Sequence, residues 1–283
     1  MIKIVTDANT NLPREIVDEY GITMVPAYVI FGQEALREYF ELDSAGFFAR
    51  LSENHALPTT SQPSIGDFQI VYRRILEEFP GATILSIHIT SLGSGTFSSA
   101  QQAAKLMPEA DIRLFDTRSF SLSQGLMVYE AARMARQGAS PDDILARLAD
   151  MRDRMQTYFV LDTLEYVYKG GRVGVATHML GTLLDIKPVL TIRDGAIVPH
   201  SRHRTRTRAF AALRDMALEG GRGKRALRVS VMYALHDQYA RELAEELKAA
   251  LDIETLIVGD VGPALSVYTG PGALGVAWYA PPE

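Results

Sequence analysis

Apolar and polar positions in the first half of the chain fall into two alternating patterns. Short apolar runs at 2–5, 22–31, 83–89 and 112–115 predict strands. Between them, segments at 13–20, 43–52, 64–79, 96–107, 121–137 and 141–155 carry the apolar spacing of helices. Two of these helices have clear start signals: Ser64 with Asp67 three residues on, and Ser140 followed by Pro141 and two aspartates. Strands alternating with helices over short connections predict a mostly parallel sheet with helices on both faces.

The second half has a different rhythm. Runs at 189–193 and 196–199 flank Asp194-Gly195, a two-residue hairpin signal. Further strands are predicted at 226–235, 253–259, 265–268 and 274–279, with helices at 205–218 and 237–251. Closely spaced strands and a hairpin predict a mixed or antiparallel sheet with helices. The change of pattern places a domain boundary near residue 157, giving an α/β chain of two domains, 1–157 and 158–283. No Pro/Ser-rich linker separates them, so the two are expected to pack closely.

Composition narrows the function classes. With 283 residues, 47% of them hydrophobic, the chain is long enough for a large packed core. A net charge of −5 argues against general binding to nucleic acid or membrane surfaces. There is no cysteine, hence no disulfide, thiol chemistry or zinc–thiolate site. The first residues enter a strand pattern without a signal-peptide core, and no apolar run reaches the roughly 18 residues of a membrane span. A cytoplasmic protein is expected. His200 and His203 are spaced i, i+3 without an acidic third ligand nearby, and His178 sits in a Gly-rich apolar stretch, so no metal site is expected.

The chemistry is concentrated in a few polar segments. Residues 90–99 hold six hydroxyls and two glycines where a predicted strand gives way to a predicted helix. Glycines admit close approach, hydroxyls donate, and a helix N-terminus adds positive potential, so this loop suits an anion. Gly93-Ser94-Gly95-Thr96-Phe97-Ser98 is one substitution from a dinucleotide fingerprint, and Asp116 lies near where a ribose-binding acid belongs. That leaves open an enzyme binding a nucleotide or phosphorylated small molecule at 93–98. Thr59, Thr60 and Ser61 form a second hydroxyl segment, stiffened by Pro58 and Pro63, with a plain connection as the other reading. Lys169-Gly170-Gly171-Arg172 reads as a helix C-cap or as a turn carrying Arg172 into a site. Gly270-Pro271-Gly272 reads as a tight turn. Four arginines between 202 and 208 read as a solvated helix face or as a docking patch for an acidic partner or a phosphate. A DNA-binding role for them fits poorly with the net charge.

Taken together, five motifs, one of them in two parts, resemble the DegV family of bacterial fatty-acid-binding proteins, in family order and over nearly the whole chain. Thr6-Asp7-Ala8-Asn9-Thr10-Asn11-Leu12-Pro13 is similar to its opening motif. Thr60-Ser61-Gln62-Pro63-Ser64 carries its T-S-Q-P-S signature, and Ser94-Gly95-Thr96-Phe97-Ser98-Ser99-Ala100 its S-G-T-[YF]-x-S-A. Residues 169–172, 180–188 and 269–275 resemble K-x-G-G-R, L-G-T-L-L-x-I-K-P and T-G-P-G-A-L-G. Ala8 replaces a usual serine, Leu92-Gly93 inverts a usual Gly-Leu, and Tyr268 stands where a histidine commonly precedes T-G-P-G.

The resemblance implies two α/β domains holding a long-chain fatty acid in a tunnel between them, with Thr60 and Ser94 on its carboxylate. Ser61, Gly95, Tyr268 and Arg172 are further candidates for that site. Some members present the carboxylate to a separate ATP-binding fatty-acid kinase subunit. Arg172 and the arginines Arg202, Arg204 and Arg206 are then candidates to face that partner. No cofactor, metal or catalysis of its own is implied. Phe31, Phe97, Leu126, Leu180 and Leu184 are candidate tunnel residues that would serve equally well in a core.

Overall fold

The computed structural model describes residues 1–53, 56–172 and 186–282. In chain order the first part runs β1 (Ile2–Asp7), a single 3-10 turn (Ala8–Thr10), α1 (Arg14–Tyr20), β2 (Thr23–Val25), β3 (Tyr28–Phe31), β4 (Glu34–Arg37), α2 (Ser44–Glu53), β5 (Thr59–Ser61) and α3 (Ile65–Glu78). It continues with β6 (Thr83–His88), α4 (Thr96–Lys105), β7 (Ile112–Asp116), α5 (Ser121–Arg136) and α6 (Pro141–Arg154). The second part runs β8 (Gln156–Val160), α7 (Glu165–Lys169), β9 (Lys187–Arg193), β10 (Ala196–His203), α8 (Arg206–Gly221) and β11 (Leu227–Tyr233). It ends with α9 (Gln238–Ala250), β12 (Ile253–Asp260), α10 (Pro263–Thr269) and β13 (Leu274–Tyr279).

Three sheets result. The first is fully parallel, in the order β2-β1-β6-β7. The second has six strands, β10-β9-β8-β13-β11-β12, antiparallel throughout except for β11 beside β12. The α/β class with a parallel N-terminal sheet and a mixed C-terminal sheet is therefore as the residue pattern predicts. The third sheet, antiparallel β4-β3-β5, was not anticipated. Position 157 falls inside β8, one residue into the mixed sheet.

Local chemistry explains the element starts. Ser64 accepts from the Asp67 amide while the Asp67 carboxylate accepts from the Ser64 amide, closing a capping box on α3. Ser140 accepts from the Asp143 amide at 3.2 Å, with Pro141 in the first turn of α6. Two expectations are corrected. The single strand over 22–31 is two strands in two different sheets, because Pro26 lacks the N–H that would continue the ladder past β2. The strand expected at 265–268 lies within α10. Pro263 opens that helix, and Ser266 Oγ donates back to Val261 O at 2.7 Å. An apolar run so short does not distinguish strand from helix by periodicity.

The core explains why the two large sheets do not part. α5 contacts β1 of the parallel sheet and β11, β12 and β13 of the mixed one. Leu122, Leu126 and Met127 of α5 join a cluster that runs from Ile4 and Leu85 across to Phe159, Met232 and Tyr279. Each such fully buried side chain contributes about 1.5–3 kcal/mol. Smaller clusters lie under α3 and α4 (Phe68, Tyr72, Ile84) and under α8 and α9 (Leu213, Leu247, Trp278).

Gly125 marks the tightest approach in this wedge. A Cβ there would stand 2.8 Å from the backbone oxygen of Thr10 and 3.2 Å from Leu12 Cδ2. In an exposed helix, Gly→Ala would add up to about 1 kcal/mol of stability. Here a backbone carbonyl is in the way, so Gly125→Ala is expected to lose about 1–3 kcal/mol instead. The check is a fall in the urea midpoint at unchanged slope.

Candidate functional site

The three sheets enclose a cavity of about 760 Å³. Its apolar wall is drawn from every part of the fold: Phe97 from α4, Phe120 before α5, Phe159 and Leu161 around β8, Met232 from β11 and Ile197 from β10. Among the described lining residues there is no carboxylate, histidine or lysine, and Arg172 is the charged group.

The polar end is built from three segments that the chain brings together from far apart. β5 pairs with β3, Thr60 opposite Val29, which fixes the Thr60 side chain. Its Oγ1 is hydrogen-bonded to the Tyr268 hydroxyl at the end of α10, 208 positions away. Ser94 precedes α4, and its Oγ accepts from the Thr96 amide at 3.2 Å and pairs with Thr96 Oγ1 at 2.8 Å. Gly95 passes so near β5 that a Cβ there would stand 2.7 Å from Gln62 Nε2. Thr60, Ser61, Ser94, Gly95, Tyr268 and Arg172 all line this one cavity.

The double-glycine segment does two jobs. It ends α7, and with Gly171 at φ 69° it turns the chain so that Arg172 stacks over the Tyr268 ring, 5.0 Å from its centroid. Arg172 is exposed, and its Nη1 donates to Gly170 O at 2.8 Å. The site therefore carries its positive charge at the rim and its neutral hydroxyls inside.

The other candidates are placed differently. Arg202 and Arg204 are exposed. Arg206 is drawn toward the protein: it pairs with Asp162 at 3.3 Å, donates to Gly272 O and lies over the Phe210 ring. Phe31 packs at a tilt against Phe47 and Leu126 is fully buried in the core, so of the apolar candidates described here Phe97 lines the cavity. Leu180, Leu184 and His178 lie outside the described residues, as does most of the 180–188 motif. Asp116 does not line the cavity. It accepts from the Arg118 amide at 2.9 Å and lies 3.4 Å from the Ser91 amide, as a turn acceptor rather than a ribose ligand. Among the described residues no group of His, Cys, Asp or Glu could hold a metal ion, and no helix is long and apolar enough to cross a membrane.

Sequence comparison places this arrangement. The chain matches the DegV family, described as uncharacterised proteins, over residues 1–281. The protein belongs to the DegV family. Three solved structures are similar to it over 98–99% of both chains. One is of a DegV-family protein from Thermus thermophilus, described as showing fatty acid binding, at 34% identity and a TM-score of 0.92. Another is DegV of Bacillus subtilis, described as a fatty acid binding protein, at 32% identity and 0.90. A third is a stearic-acid-binding protein from Eubacterium ventriosum, at 26% identity and 0.89.

The DegV opening motif supplies a support that the sequence reading did not assign. Asp7, at the end of β1, is fully buried. Its Oδ2 accepts from the Ile89 amide at 3.0 Å and from Gln124 Nε2 at 3.2 Å, and meets His88 Nδ1 at 3.0 Å; its Oδ1 accepts from Asn9 Nδ2 at 2.9 Å. His88 Nε2 meets Ser86 Oγ at 2.6 Å, and Ser86 Oγ meets the Tyr72 hydroxyl at 2.7 Å. Burial alone would push the Asp7 carboxyl up, but the His88, Asn9 and Ile89 contacts outweigh it and hold the group below its ordinary range. The signal available in sequence was only the Thr-Asp pair; the partners are 81 and 117 positions away.

Because the folded-state pKa lies below the unfolded one, the stabilisation is present above the unfolded value of about 4 and is lost as pH falls through the folded value. Asp7→Asn is expected to cost about 3 kcal/mol at neutral pH and to lessen the loss of stability on acidification. Urea midpoints measured from neutral pH down to about pH 3 check both.

Proposed function

We propose that this protein carries one long-chain fatty acid, its tail in the apolar cavity and its carboxylate at Thr60 and Ser94, and offers that carboxylate to a separate fatty-acid kinase. The observation that carries the reading is the polarity of the cavity: a long apolar wall ends in hydroxyls and the Arg172 cation, and among the described lining residues none is acidic and able to repel a carboxylate. The structures from Thermus thermophilus, Bacillus subtilis and Eubacterium ventriosum, each described as binding a fatty acid, support it.

The division of labour follows from magnitudes. A buried methylene is worth about 0.8 kcal/mol, so a tail of about fourteen supplies roughly 11 kcal/mol gross, less the costs of ordering and association. Hydrogen bonds to a charged acceptor add about 1.5–3 kcal/mol each and set the orientation. Arg172, exposed beside Tyr268, stands where an approaching phosphoryl group would need a cation. In the transfer, a carboxylate oxygen would form the new bond to the γ-phosphorus of ATP as ADP departs, giving an acyl phosphate. The attacking atom comes from the ligand and the nucleotide from the partner, so this chain's part is to hold and present.

Denaturing extraction of the purified protein followed by mass spectrometry is expected to yield one C14–C18 acid per chain. Protein consistently free of lipid and unable to take up oleate or palmitate would overturn the proposal. Ser94→Ala is expected to weaken binding about tenfold while retaining most of the tail's contribution.

A further inference from the structure

Glu38 follows β4, and its side chain reaches the seam between the small sheet and α10. It is 2% exposed, and neither carboxylate oxygen has a hydrogen-bond partner among the described residues. Its own amide donates to Ala27 O at 2.9 Å, just before β3. The tip of the side chain meets the residue that leads into α10: a Cβ at Gly262 would overlap Glu38 Oε1, and Asn11 Nδ2 would lie 2.5 Å from it. The Ala264 amide approaches the carboxyl without closing a hydrogen bond.

What lies on the two sides of this seam gives Glu38 its importance. On one side β3 pairs with β5, which carries Thr60. On the other, α10 packs against β3 and β5 and ends at Tyr268 and Thr269. The Thr60–Tyr268 hydrogen bond therefore spans the same seam that Glu38 closes from within.

We infer that Glu38 is a positioning residue for the polar end of the cavity: its uncharged carboxyl keeps the small sheet closed on α10, and a negative charge there parts Thr60 from Tyr268.

The surroundings favour the uncharged form. The charged groups facing Glu38 are Asp7 at the end of β1 and Asp260 at the end of β12. Asp260 is half-buried, accepts from Ser44 Oγ at 2.8 Å and is pushed up by partial desolvation. Residues 8–12 after β1 and the whole of α10 carry no charged side chain. Burial, against the pull of the Ala264 amide and with smaller contributions from Asp7 and Asp260, pushes the Glu38 carboxyl up from 4.5 to about 8. Between those two values the folded chain holds a proton that the unfolded chain has lost, so stability declines as pH rises through that window. Above it the native seam itself becomes charged.

The test compares the full chain with Glu38→Gln, which keeps the shape of the protonated carboxyl and cannot ionise. Hydrogen exchange is followed without ligand in 59–62 and 263–269, with β11 as the internal reference. Near pH 6.5 the two proteins are expected to exchange alike; at about pH 9 the wild type is expected to exchange about fivefold faster in those two segments and not in β11. Equal exchange at about pH 9, or acceleration throughout the chain, would overturn the inference.

A second arm rests on the proposed ligand and uses the fluorescent cis-parinaric acid. Wild-type affinity is expected to fall about fivefold between neutral pH and about pH 9, with Glu38→Gln unchanged. Parallel profiles for the two proteins would overturn the positioning role. Absence of binding at any pH, with the exchange difference intact, would overturn the fatty-acid reading and leave the seam in place.

Discussion

The buried carboxylate of Asp7 is the constraint on which the rest of the site depends. An isolated charge in the interior would cost several kcal/mol, so its persistence requires that nearly every lone pair be used. Asp7 meets this with contacts to His88, Ile89, Asn9 and Gln124. These donors lie at the end of β6, at the start of the loop that carries Ser94, in the turn after β1 and on α5. Loss of any one leaves part of the charge unsatisfied, so the four segments are held in mutual register. Asn9 and Ile89 also face the cavity, which ties the charge directly to its wall.

From that anchor the site grows outward through neutral contacts. Thr90, next to Ile89, donates from Oγ1 to Gly195 O at 3.0 Å and ties the tip of the β9–β10 hairpin to the loop. Gly195 has φ 83°, and a Cβ there would press on Thr90 Oγ1. The Asp194-Gly195 pair thus makes a turn and also lets the mixed sheet approach the parallel one. Gly270, at φ 63° against the Tyr166 ring, does the same where α10 ends. The polar end is assembled by packing around backbone that glycine permits, and the Arg118–Asp194 ion pair beside the hairpin tip is exposed and long, at 4.0 Å.

Much of this was legible in the residues, and the limits have physical causes. The caps at Ser64 and Ser140 and the hairpin at Asp194-Gly195 are local, written within four residues, and the structure has each of them. The polar segments around Thr60, Ser94 and Tyr268 stood out as concentrations of hydroxyl and glycine, and all three line the cavity. What could not be read is pairing at a distance. Thr59–Ser61 looks like a stiff connection because its strand partner, β3, is hidden in a run that Pro26 splits. Apolar candidates could not be sorted into core and cavity, since Leu126 and Phe97 differ only in what faces them. Glu38, two residues before a polar stretch and beside an exposed-looking Arg37, gives no sign in sequence of being buried at all.

The absence of acidic groups from the described cavity lining and the placing of the buried Glu38 and Asp7 and the half-buried Asp260 behind it are two parts of one arrangement. Three carboxyls lie behind the polar end of the cavity, and none of them is among its described lining residues. Asp7 stays charged because its hydrogen bonds neutralise it locally, whereas Glu38 lacks such bonds and keeps its proton near neutrality. The field at the polar end is then set by Arg172 and by hydroxyl and amide dipoles, a mixture that would orient the proposed carboxylate without locking it into an ion pair. Under the proposed function, a carboxylate held in that way would keep an oxygen free to react. The neutral Tyr268–Thr60 contact fits the same proposal: a charged partner at either position would compete with the proposed carboxylate for the hydrogen-bond donors there.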